Sequence, residues 1–172
     1  HVSPAARAAS IEAGEAAPSP MAGIIGVPRQ EVQAIVAQAN RNLLPTAQIE
    51  VGLESTYART IVSGDANSLI YLRGLFKARV DADAKKQQQG RLEGTAFTLN
   101  WEYLPTSGQF HHSVTQAPAV DRLLADMARI GFTLSADELQ VPVHSTLDGS
   151  NLRDSDDLLR DIILAQFPHD MM

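Results

Sequence analysis

The sequence predicts an α/β chain of the α+β kind, with a β-α-β-β-α-β order followed by a second α/β layer. Three observations predict it. Polar and apolar residues alternate over 48–54 and 96–104, the period of a strand with one wet face. Apolar residues recur at helical spacing over 28–40 and 69–76. Apolar side chains make up 44% of the 172 residues against 20% charged, enough for a packed core and too many for a disordered or collagen-like chain.

Each element follows in order. Residues 1–20, rich in Ala and Pro, read as a short helix over Ala5 to Ala17 and then a linker. Met21–Val27 is an apolar run of strand length. Pro28 suits a first helical turn, where its missing N–H goes unpaired anyway, and Val32, Ile35, Val36 and Ala39 carry that helix to Asn40. Gln48–Glu54 and the β-branched Arg59–Gly64 pair as an antiparallel hairpin. Asp65 or Asn67 caps a helix with an apolar set at Leu69, Ile70, Leu72, Leu75 and Phe76. Residues 81–94, with Asp81, Asp83, Lys85, Lys86 and Gln87, form the most polar stretch and read as a mobile loop. Ala96–Leu104 closes the set as a strand.

That order, over residues 21–105, is the ferredoxin-like arrangement. It hosts many unrelated functions and names none. Residues 106–172 differ: a turn over 107–112, an amphipathic helix over Ala119–Arg129 with Val120, Leu123, Leu124 and Met127 inward, a strand over Leu139–Thr146, and a last helix over Asp156–Gln166.

Composition narrows the function. The formal net charge of −6 argues against a binder of nucleic-acid phosphates, which needs a basic face. The absence of cysteine excludes disulfides, thiolate metal sites and cysteine nucleophiles. No apolar run reaches the roughly 18–20 residues of a membrane helix, and the first residues lack the pattern of a secretion signal. The expectation is a soluble protein of a reducing compartment. A start at His1 without Met and a stop at Met172 without a polar tail read as two ends cut from a longer polypeptide.

Five histidines are the natural candidates for proton transfer, because imidazole titrates near neutrality. His111 and His112 follow Leu104-Pro105-Thr106-Ser107-Gly108-Gln109-Phe110, where a strand end running through a Gly turn into a helix aims a side chain outward. Two surface histidines on a loop would give the same pattern. Adjacent side chains diverge, and no further His or Cys stands at ligand spacing, which disfavours a metal. His144, alternating with Val141 and Val143, reads as a packed or hydrogen-bonded residue. The acids Asp154, Asp156 and Asp157 read as helix-start residues. Ser107 and Ser145 lack the G-x-S-x-G elbow that exposes a nucleophile, and that elbow occurs nowhere in the chain.

Three segments resemble the acyl-CoA:acyl-carrier-protein transacylase (acetyltransferase) domain of type I fatty acid synthases, of the fungal β-subunit and actinobacterial kind. Pro20-Met21-Ala22-Gly23-Ile24 resembles the family's P-S-P-M-L. Leu104–His111 resembles L-P-V-S-x-x-F-H, which brings the catalytic histidine. Val141-Pro142-Val143-His144-Ser145-Thr146-Leu147-Asp148-Gly149-Ser150-Asn151-Leu152-Arg153 resembles V-P-V-Y-D-T-F-D-G-S-D-L-R, the longest and most specific of the three.

The resemblance implies an α/β-hydrolase-like acyltransferase core interrupted by the ferredoxin-like subdomain. Residues 1–20 would be a helix and linker from that core, 21–105 the subdomain, and 106–172 the return segment of the core. It implies a serine that attacks acetyl-CoA, a histidine base, and delivery of the acetyl group to the phosphopantetheine of an acyl carrier protein. A main-chain carbonyl near Ser145 or Thr146 would orient the imidazole. The elbow serine lies upstream in the family, so the isolated chain is expected to be inactive.

The spacing around the histidines is one residue longer than the family's. Counting from Pro105 selects His111 as base; counting back from Pro118 selects His112. An extra residue within the strand would reverse the face of every side chain, whereas a helix entrance absorbs one, which favours His111. Phe110 would then wall the acyl pocket. The expected partners are the carrier protein and other domains of a large synthase homo-oligomer, with no nucleic acid, no membrane, no bound cofactor or metal, and a cytoplasmic setting. A malonyl or palmitoyl transferase domain of the same synthase, or a non-catalytic ferredoxin-like scaffold module, are the competing readings.

Overall fold

The computed structural model describes residues 2–56, 59–90, 96, 98–106 and 116–166. It divides into two compact units, 1–110 and 111–172.

The first unit opens with α1 (Pro4–Glu12). The Ser3 side chain accepts the Ala6 N–H at 3.2 Å to cap it, and Pro4 occupies the first turn. The helix is shorter than its Ala content predicts. Gly14, at φ +76°, takes the left-handed turn; its N–H reaches the Ile11 carbonyl and that of Glu15 the Ser10 carbonyl, closing a Schellman motif.

Four strands follow: β1 (Met21–Ile25), β2 (Glu50–Thr56), β3 (Arg59–Ser63) and β4 (Asn100–Tyr103). Their order is β2-β3-β1-β4, antiparallel throughout. With α2 (Arg29–Asn40) joining β1 to β2 and α3 (Ala66–Gln88) joining β3 to β4, this is the βαββαβ arrangement. Alternation puts Ala22 and Ile24 of β1, Val62 of β3, and Trp101 and Tyr103 of β4 into one core with Val32, Ile35 and Val36 of α2 and Leu69, Leu72 and Phe76 of α3. Trp101 meets Tyr103 edge to face at 5.6 Å between centroids.

Polar groups fix the joints. Asn40 clamps the end of α2 to the approach of β2, accepting the Ile49 N–H and donating to the Ile49 carbonyl, both at 2.8 Å. Asp65, one of the two predicted caps, accepts the Asn67 N–H at 2.9 Å. Gly26 sits at φ +86°, and a Cβ there would stand 2.1 Å from the Thr98 carbonyl oxygen, so no other residue fits. Arg73 on α3 pairs with Glu15 in a site where both side chains are nearly buried, fastening the segment after α1 to α3.

The polar stretch read as a loop from residue 81 is helical to Gln88. Its Ala, Lys and Gln residues are good helix formers; Arg79 pairs with Asp83 at 3.1 Å one turn on, and Lys85 and Lys86 complement the dipole at the C-terminal end. Of the last predicted strand, Asn100–Tyr103 is paired, and Phe97 lies outside the described residues.

The second unit holds α4 (Ala117–Ile130), ended by Gly131 at φ +71°, and α5 (Leu158–Gln166). On α4, Val120 is buried while Leu123, Leu124 and Met127 are only half-buried. The strand expected over 139–146 does not form: Gln140 and Val141 lie at bends, and His144 makes one isolated bridge to Asn151. A strand needs a ladder partner, and the described residues supply only that single contact.

Candidate functional site

Phe110, His111 and His112 lie outside the described residues, as does Ser107. The other half of the expected site, Val141–Arg153, is described in full. It is a hydrogen-bonded turn built by small polar residues. The Val143 carbonyl accepts the Leu152 N–H at 2.8 Å, and the Ser150 carbonyl accepts the Ser145 N–H at 2.8 Å. Gly149, at φ +74°, donates its N–H to the Ser145 carbonyl at 2.9 Å.

Side chains complete the turn. Asp148 accepts from the Ser150 hydroxyl at 2.7 Å and the Ser150 N–H at 3.0 Å, and these two bonds hold its carboxyl below the ordinary aspartate pKa. The Ser145 hydroxyl accepts the Leu147 N–H at 3.1 Å, which makes it a turn residue. His144 Nδ1 stands 3.0 Å from the Gly149 carbonyl; a carbonyl only accepts, so this nitrogen carries the proton. That is the hydrogen-bonded histidine its place in the sequence suggested.

Arg153, the last residue of the Val141–Arg153 segment, has a structural role. Its guanidinium donates twice to the Leu139 carbonyl, at 2.7 and 3.2 Å, and so ties the two ends of the turn together. An arginine closing a turn-rich segment is the only signal the sequence carried. At the start of α5, Asp157 accepts the Arg160 N–H at 3.2 Å, the helix-start role read for the acid run. Beside it a groove of about 400 Å³ is lined by Asp137, Asp154 and Asp156 against Arg153. Three carboxylates against one cation make it a poor seat for a phosphate-bearing ligand. Among the described residues no three His, Cys, Asp or Glu side chains gather as a metal site, and no helix is long and apolar enough to cross a membrane.

Tyr103 is the remaining titratable group of interest. Burial pushes its phenol above the ordinary tyrosine pKa, with the charge of Arg73 opposing, so it stays protonated in the core. It is a packing residue of the first unit.

No family model matches the chain. Solved structures show the fold. The chain is similar to the acyl carrier protein S-malonyltransferase of Vibrio cholerae, with a TM-score of 0.61 at 17% identity over 88% of this chain and 40% of that one. It is also similar to MCAT of Streptococcus pneumoniae, with a TM-score of 0.58 at 18% identity over 97% and 46%. The fold is therefore that of part of an acyltransferase domain.

Sequence relatives make this more particular. The chain is 28% identical over 144 residues to the fatty acid synthase β subunit of Saccharomyces cerevisiae, and 30% identical over 158 residues to that of Gibberella zeae. These matches take in 84% and 90% of the chain but 7% of each relative, so the chain spans a small part of their length. It is homologous to fungal fatty acid synthase β subunits and fits a fragment of an acyltransferase domain of such a synthase.

Proposed function

We propose that this chain carries the base-bearing part of an acyltransferase that moves an acetyl group from acetyl-CoA to the phosphopantetheine of an acyl carrier protein. One observation supports the reading: the chain is 30% identical to a fatty acid synthase β subunit over 90% of its length. By the resemblance, Leu104–His112 and Val141–Arg153 are the two segments that would serve the transacylase chemistry.

In this reading His111 takes the proton of a serine supplied by polypeptide outside these residues as its oxygen attacks the thioester carbonyl. The tetrahedral intermediate collapses, CoA leaves as its thiol with that proton, and an acetyl-serine remains. The phosphopantetheine thiol then attacks the ester while His111 takes its proton and returns it to the serine. Phe110 walls the acyl pocket. The turn over 145–150, closed by Gly149 and Asp148, holds the Ser145–Thr146 backbone in one place, which suits it to orient an imidazole through a carbonyl. Acetyl-CoA and the carrier-bound thiol are substrates, and no resident cofactor is needed.

The test places this chain in the S. cerevisiae β subunit in exchange for the stretch it matches, and follows transfer of labelled acetyl to phosphopantetheine. His111→Ala should lower the rate by about 10²–10⁴-fold, the usual yield of a positioned base, and His112→Ala by less than about tenfold. Equal rates in both variants would sink the dyad. Transfer of malonyl in place of acetyl would select the sister activity.

A further inference from the structure

A cluster of polar side chains lies inside the first unit, at the end of β4 where the chain leaves the sheet. Trp101 and Tyr103 project from the same face of that strand, 5% and 1% exposed. Arg73 on α3 and Glu15 behind α1 pair beside them, with side chains 12% and 10% exposed. The Glu15 N–H bonds to the Ser10 carbonyl at 2.9 Å, and the buried Ser10 lies beside the Tyr103 phenol. The charges of Arg73 and Glu15 both act on that phenol, which places these side chains around one spot.

Hydrogen bonding at this spot is incomplete. Arg73 meets one oxygen of Glu15, while the other, Oε2, is buried without a partner among the described residues. The same holds for Arg73 Nε, Trp101 Nε1 and the Tyr103 hydroxyl. The indole and Ser10 lie beside the phenol, but not in hydrogen-bonding geometry. Buried polar atoms of folded proteins are paired in the great majority, with protein or with ordered water. One orphan is an ordinary exception. Four around one spot make a site.

Their chemistry selects the ligand. Arg73 Nε–H and Trp101 Nε1–H only donate, Glu15 Oε2 only accepts, and the phenol does both. The occupant must therefore accept and donate at once, and it must be small. Glu15 and Arg73 cancel in charge, so the site has no net charge to hold an ion. Lys77, 4.0 Å from Glu15, is half-exposed and screened by solvent. We infer that Glu15, Arg73, Trp101 and Tyr103 bind internal water, whose lone pairs accept from Arg73 and Trp101 and whose hydrogens reach Glu15 Oε2 and the phenol oxygen. Such a water is a structural part: it ties the segment after α1 to α3 and to the end of β4. The inference concerns the first unit alone and stands apart from the proposed activity.

Two measurements on the 172-residue chain test it. In a crystal structure that resolves ordered solvent, water should stand within hydrogen-bond distance of at least three of the four atoms. In solution, oxygen-17 relaxation dispersion of water counts long-lived internal molecules. Replacing Glu15→Met, Arg73→Met and Tyr103→Phe together leaves one polar partner, too few to hold a water, and should lower that count by about one or more. Tyr71→Phe, which removes a hydroxyl from a partly exposed tyrosine, should leave the count unchanged. An unchanged count in the folded triple variant overturns the inference. So does a crystal structure in which the four atoms pair directly with one another, stay dry, or surround an ion. If the triple variant does not fold, the crystal structure of the unmodified chain decides alone.

Discussion

Gly26 shows how one residue sets a joint. At φ +86° its backbone passes so close to the Thr98 carbonyl that a Cβ would overlap it at 2.1 Å, backbone against backbone. Gly26→Ala should therefore cost about 1–3 kcal/mol in urea unfolding, from positive φ and displacement together. Asp148 is the matching case in the second unit. Its carboxylate is stabilised by the Ser150 hydroxyl and N–H, so its folded pKa lies below the unfolded value. The sign follows: the turn gains from this bond at pH above the ordinary aspartate pKa and loses it as pH falls through the depressed one. Ser150→Ala should raise the Asp148 titration midpoint, read by carbon NMR of the carboxyl. An unmoved midpoint would show that the hydroxyl does not set it.

Among elements, burial decides which contacts matter. Arg73 and Glu15 pair with little exposure, whereas Lys77 is half-exposed and 4.0 Å from the same carboxylate. Arg73→Met should destabilise the first unit by about 3–5 kcal/mol, because it strands a buried charge. Lys77→Met should cost under about 1 kcal/mol. Equal losses in denaturant unfolding would contradict this ranking. Elements were legible where their period was written in side chains that stay inside this chain. Val32, Ile35, Val36 and Ala39 are all buried as the helical spacing of α2 required, and Trp101 and Tyr103 as the alternation of β4 required. The tail of α3 has the polarity of a loop, yet its Ala, Lys and Gln residues are good helix formers that outweigh its two Asp. The strand over 139–146 was misread because β-branched residues report a tendency to pair, and pairing depends on a partner that a sequence window does not contain.

For the molecule as a whole, the two units carry different parts of the account. The first holds a closed core packed on a four-stranded sheet, an arrangement that by itself names no chemistry. The second holds the segment most specific to the acyltransferase resemblance, and its backbone bonds run through Val143, Ser145, Gly149 and Ser150, the residues a pattern of small and β-branched types could flag. The hydrogen bonds themselves, above all Arg153 on Leu139, were not legible, since they join positions fourteen residues apart through side-chain geometry. His111, His112 and Phe110 fall outside the described residues, so the dyad stands on sequence and on chemistry. The central claim is that these residues contribute a base and not a nucleophile. Intact-mass analysis after incubation with acetyl-CoA tests it most directly. The isolated chain should stay at its own mass, while the β subunit completed by it should gain one acetyl group on a serine contributed by the rest of the subunit. A stable acetyl adduct on a serine of the isolated chain, mapped by peptide sequencing, would contradict it.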